Sequence, residues 1–216
     1  MVKSAADLYV NVFDVNRRLE SLGLTIDILL DAVRAGFTGR SNCSELDPPM
    51  YPGQTMWAHT LRRLRQGTAP IGWKPDNASN YCVSLSPDEQ VAIAVATGDA
   101  YTGRPDAIPS TSSPKGPCTV EAVALNQLVL DLRLPGEDAL PQPVDVCKRQ
   151  TWLLLIHLDQ SEVRAELSLP SSLDEQDRVT GWRERIILPS VDFDPDQIQL
   201  PTDEPGDIDI DVRRRA

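Results

Sequence analysis

The chain has 216 residues, 41% hydrophobic and 25% charged, with a formal net charge of −11. That balance belongs to a globular protein with room for one full core or two small ones. No run approaches the roughly 18 to 20 apolar residues needed to cross a bilayer, which argues against an integral membrane protein.

Charge is spread unevenly: +2 over residues 1–74, −5 over 75–150, −3 over 151–188 and −5 over 189–216. Such a field discourages general phosphate binding and leaves only a local basic face at the N-terminal end. Asp7, Asn11 and Asp14 break up the first apolar residues, so no secretory signal is expected there. Cys43, Cys82, Cys118 and Cys147 include no CxxC pair and no histidine at ligand spacing. The pattern argues against structural zinc and fits reduced thiols in a cytoplasmic protein.

In chain order, Ala5, Leu8, Val12, Val15, Leu19 and Leu22 recur at spacings of three and four. They predict an amphipathic helix, started by Ser4 with Asp7 in its first turn and stopped by Gly23. Thr25 caps a second helix, with Ile26, Leu29, Leu30 and Val33 on one face and Gly36 at its end. The short connection predicts an antiparallel hairpin. The first stripe also suits a coiled-coil seam with a second copy, although internal core is the simpler use.

Residues 38–53 read as loop. A third helix over 54–66 has Trp57, Leu61 and Leu64 on one side, and His59, Arg62, Arg63 and Gln66 on the other. Trp73, in the breaker-rich stretch that follows, is expected to anchor that loop to the core or to offer a contact surface.

From Tyr81 the period becomes two, predicting a strand to Leu85, a turn at Ser86–Glu89, and a strand over 91–96. One face of the latter is Ala92, Ala94 and Ala96, a methyl surface that invites close cover. Residues 98–119 then form a loop of about twenty residues, a length that is usually functional when ordered. Thr119 caps a helix expected to run to about Arg133, in preference to a strand over 128–134. Residues 135–146 are a Pro- and acid-rich connector. Residues 151–188 predict an antiparallel meander with one wet face and a bulge near Gly181-Trp182. From Pro189 the chain alternates acids with breakers, closing on Ile208, Ile210 and Val212 between aspartates. That stretch is expected as an extended arm or an added edge strand.

The fold class expected is therefore α+β: a helical region over 1–75, a sheet region with one or two covering helices over 76–188, and an acidic tail over 189–216. The first two are expected to share one compact unit.

Several residue sets invite a chemical reading, each beside a plainer one. Lys115, Gly116, Cys118 and Thr119 precede a helix, where anions bind well, but no phosphate-loop motif is present and a Pro-pinned surface loop explains them. Cys118 is a candidate nucleophile, with His157 as base and Asp99 or Asp106 as orienter. His157 is more simply a core imidazole. Loop carboxylates could hold Mg²⁺, with no spacing that makes this specific.

His59, Arg62 and Arg63 form a basic stripe for phosphate or an acidic protein segment, and Arg104, Lys115 and Trp73 complete the candidate binding set. An acidic mimic of nucleic acid is a further reading of the net charge. No motif for catalysis, metal or cofactor rises above its plainer alternative. The expectation is a non-enzymatic cytosolic binding protein: an adaptor, inhibitor or assembly subunit. Its partner is another protein or protein complex, with self-association through the tail or first helix and nucleic acid only at Arg62-Arg63. A hydrolase or transferase built on Cys118 or on Mg²⁺ is the alternative.

Overall fold

The computed structural model describes residues 6–131, 149–159 and 162–192. Element order is β1 (Asp7–Tyr9), α1 (Val12–Ser21), α2 (Ile26–Ser41), α3 (Tyr51–Thr68), β2 (Lys74–Asp76), β3 (Val83–Leu85) and β4 (Val91–Thr97). Then come α4 (Pro117–Asp131), β5 (Gln150–Leu158), β6 (Glu162–Leu173), β7 (Val179–Ile187) and β8 (Val191–Asp192). All strands join one sheet in the order β1-β7-β6-β5-β4-β3-β2, with β8 pairing β6 past the end of β7. The α+β class holds.

The sheet is mixed, where an antiparallel one was expected. The β5-β6-β7 meander is antiparallel, but β4 and β5 run parallel, and so do β1 and β7. Parallel neighbours need a long crossover to bring the chain back to the starting edge. The chain between β4 and β5, which contains α4, makes that return.

Alternation along the strands sends apolar side chains to both faces. Ile93, Val95, Trp152, Leu154, Ile156, Val163, Ala165, Leu167 and Leu169 meet the helices α1, α2 and α3 in the larger core. Ala92, Ala94, Ala96, Leu153 and Leu155 point the other way, to a second cluster with Val123 of α4 and Trp182 of β7. The methyl face of β4 is thus covered, and the six residues Thr151–Ile156 of β5 are all buried.

The N-terminal reading needs correction. Asp7–Tyr9 is a strand, paired in parallel with Glu184–Ile186. The three-and-four spacing of Leu8 and Val12 imitated a helix, because a partner some 175 residues later leaves no local trace. Asn11 caps α1, its side chain accepting from the Phe13 amide at 2.9 Å. Gly23, at φ 70°, ends the helix as expected, with the Leu24 amide donating back to Leu19.

Gly36 does not end α2, which continues to Ser41. A Cβ on Gly36 would collide with the Thr60 hydroxyl, and one on Gly39 would lie 2.7 Å from the His59 ring. These glycines let α2 and α3 approach closely, and that pair, rather than α1 and α2, makes the extensive helix contact. Trp73 is 5% exposed in the larger core and anchors its loop, leaving no contact surface.

Arg18 ties α1 to the sheet. Its guanidinium grips Glu184 at 2.6 and 3.0 Å and lies 5.3 Å from the ring centre of buried Trp152. Among the described residues, no helix is long and apolar enough to cross a membrane. The end of the α4 helix near Arg133, the 135–146 connector, Cys147 and the tail beyond Asp192 lie outside the described residues.

Candidate functional site

The expected wet face of β6 is buried. Arg164, Glu166 and Ser168 are 5%, 0% and 0% exposed, because the chain between Gly98 and Gly116 lies across them. Beginning the loop, the Gly98 amide continues the β4 ladder to Ile156 at 2.9 Å, and Gly98 bridges Thr111. The Asp99 carboxylate accepts from the Tyr101 and Ser110 amides, both at 3.0 Å, and so closes the first turn on itself.

Below this turn sits a buried ion pair. Glu166 and Arg185 meet through Nε–Oε1 at 3.1 Å and NH2–Oε2 at 2.6 Å, a two-pronged contact. Ser168 donates to Glu166 Oε1 at 2.8 Å, and the Gly103 amide donates to Oε2 at 2.9 Å. Arg185 spends two further donors on the Ala107 carbonyl at 2.6 Å and the Arg104 carbonyl at 3.0 Å. The pair is therefore satisfied chiefly by loop backbone. Without the loop, both charges would face solvent and the loop carbonyls would lose their donors.

Gly103 makes the contact possible. It takes φ 73°, and a Cβ there would stand 2.9 Å from the Arg164 Cβ. Only glycine relieves both constraints at once.

Further ties flank the pair. Arg164 donates to the Ala100 carbonyl at 3.0 Å and pairs with Asp159 at 3.2 Å and Glu162 at 3.3 Å. Trp182 Nε1 donates to the Pro109 carbonyl at 2.8 Å. Thr111 joins Val179 through its amide and its hydroxyl, both at 3.1 Å, and the Lys115 amide donates to Asp177 at 2.9 Å. The long loop is an immobilised strap over β5, β6 and β7. Its outer side presents Tyr101 at 55% and Ile108 at 71% exposure, with Arg104, Pro105 and Asp106 exposed between them.

The proposed catalytic set is dispersed. Cys118 lies in the first turn of α4, with Sγ 3.9 Å from the Ser79 carbonyl and near Tyr81. His157 Nδ1 is 3.2 Å from the Gly98 carbonyl, which can only accept, so the imidazole secures the start of the strap. Asp99 is occupied by backbone amides and Asp106 is exposed. No hydrogen bond joins Cys118 to any of these three. Tyr81 has its phenol pKa raised, first by burial, with Thr119 pulling it down and Cys118 pushing it up. Burial lowers the Lys115 pKa. Among the described residues no three His, Cys, Asp or Glu side chains gather as a metal site.

The basic stripe divides. Arg63 pairs with Asp31 of α2 at 3.2 Å, and His59 is half-buried against Gly39. Arg65 donates to the Asp76 and Val83 carbonyls at 3.0 and 2.8 Å. Among the described residues, Arg62 reaches only the His59 ring, at 3.4 Å. Sequence reasoning located the strap but not what holds it. Glu166 reads as a solvent-facing position of an alternating strand, and no local signal marks it or Arg185 as covered by a distant aperiodic loop.

Comparison with protein-family models, curated proteins and solved structures finds no match for this chain.

Proposed function

We propose that this chain is a non-enzymatic protein-binding module, an adaptor, inhibitor or assembly subunit, that recognises its partner through the outer side of the 98–116 strap. One observation carries the reading: Tyr101, Arg104 and Ile108 project from a backbone fixed from below by the Glu166–Arg185 pair. Aromatic and arginine side chains dominate binding hot spots, and a loop already held in one conformation loses less entropy on binding. The moderate net negative charge would steer the chain toward a basic partner surface.

The test is affinity capture from the native host with Tyr101→Ala/Ile108→Ala beside the unaltered chain, read by mass spectrometry. Loss of a specific partner with an unchanged melting midpoint supports the proposal. An identical partner set in both captures removes it. A hydrolase or transferase working through Cys118 has less support, since the thiol's neighbours are a carbonyl and a phenol rather than an imidazole. The metal-dependent and nucleic-acid-mimic readings have only the abundance of acids behind them.

A further inference from the structure

The helical face carries a second surface that the strap does not use. Beside α3, a groove of about 480 Å³ is lined by Trp57, Leu61, Pro75 and Cys82, with Arg62 and Arg65 along it. Trp57 is 41% exposed there. Neither arginine meets a carboxylate among the described residues: Arg62 reaches the His59 ring at 3.4 Å, and Arg65 donates to the Asp76 and Val83 carbonyls and to Asn77 Oδ1. The Arg65 Nε is also buried without a hydrogen-bond partner. In a chain with a net charge of −11, exposed Arg62 beside an apolar groove leaves room for an acid.

We infer that this groove receives the chain's own C-terminal segment Asp207–Val212, in which Asp207, Asp209 and Asp211 alternate with Ile208, Ile210 and Val212. An extended strand sends the two sets to opposite sides, so the aliphatic side chains enter the groove while the aspartates stay at its arginine rim. The lengths agree. From Trp57 of α3 to its C-cap Ala69, both lining the groove, the rise is about 18 Å at 1.5 Å per residue. Five extended steps from Asp207 to Val212 span about 17 Å.

The segment can also reach. Fourteen residues separate it from Asp192, where β8 ends. A chain of that length has a typical end-to-end distance of about 19 to 22 Å. The groove borders β3, four strand positions from β8, or about 19 Å across the sheet. Tethering of this kind supplies an effective concentration on the order of millimolar, enough for a weak site to fill.

Cys82 makes the occupancy measurable. Its alkylation by iodoacetamide is followed by peptide mass spectrometry in the full chain, in a chain ending at Asp192, and in Asp207→Asn/Asp209→Asn/Asp211→Asn. Cys43 serves as the internal reference. The expected result is a Cys82 rate about threefold or more higher in both variants, as a filled site becomes vacant, with Cys43 unchanged. Arg62→Glu should raise the rate likewise.

Equal Cys82 rates in full and shortened chains overturn the inference. So does protection that survives the three asparagines, since the charge pairing would then be irrelevant. Protection that disappears on dilution assigns the site to a second copy's segment and overturns docking within one chain. A parallel rise at Cys43 indicates general loosening and overturns it as well.

Discussion

The two faces of the sheet are buried to a similar degree by opposite means. The helix-covered face is closed by aliphatic and aromatic packing around Trp152, Leu154, Leu167 and Leu169, with Arg18 and Glu184 at its margin. On the strap-covered face, the region beneath 98–107 is closed by two charges and a set of carbonyls. Apolar packing tolerates small shifts and reads out roughly in proportion to area. A buried ion pair depends on every partner, because removing one leaves the other charged and unsolvated. The helix-covered face therefore draws its stability from packing, whereas the part of the other face beneath 98–107 spends specific interactions to fix the shape of a loop.

The largest expected effect comes from breaking the clamp on one side only. Glu166→Gln should cost about 3–5 kcal/mol by urea denaturation, since Arg185 keeps its charge in a site with no counter-ion. Replacing both as Glu166→Leu/Arg185→Met should recover much of that loss and still leave loop carbonyls without donors. Recovered stability together with a loosened strap would separate the two roles of the pair. A double variant no more stable than the single one would count against the clamp as drawn.

On the helical face, Gly36→Ala should cost about 1–3 kcal/mol through overpacking, because the new methyl meets the Thr60 hydroxyl and lies 2.9 Å from the Met56 carbonyl. This loss should leave the strap's amide protection intact. Trp182→Phe removes one donor from the Pro109 carbonyl and should cost about 1 kcal/mol, with faster exchange confined to the loop near Pro109.

The smallest effect is a pH dependence. The raised Tyr81 pKa means the folded state keeps its phenol proton to higher pH than the unfolded chain. Its contribution is complete below pH 10.0, the ordinary value, and is lost as pH climbs toward the folded pKa. Melting midpoints above pH 10 should therefore fall more steeply in the unaltered chain than in Tyr81→Phe. Parallel curves would contradict that assignment.

How much of this was legible follows from the same contrast. The elements α3 and β4 carry their own periodicity, β5 is an unbroken apolar run, and Trp73 between breakers pointed to the core. The strap stood out as a long loop stiffened by Pro105, Pro109 and Pro114. What escaped is non-local. Leu8 looked helical because its pairing partner, Arg185, lies at the far end of the domain. Gly36 looked like a stop because its reason, the close approach of Thr60, belongs to another helix. Glu166 looked wet because alternation assigns a side of the sheet and cannot say what covers it.

Amide hydrogen exchange across Gly98–Gly116 tests the central claim most directly. The account predicts that the amides of Gly103, Ser110 and Thr111 are protected in the unaltered chain and that Gly103 loses protection in Glu166→Gln. Exchange of these amides at the rate of an unstructured peptide in the unaltered chain would contradict it.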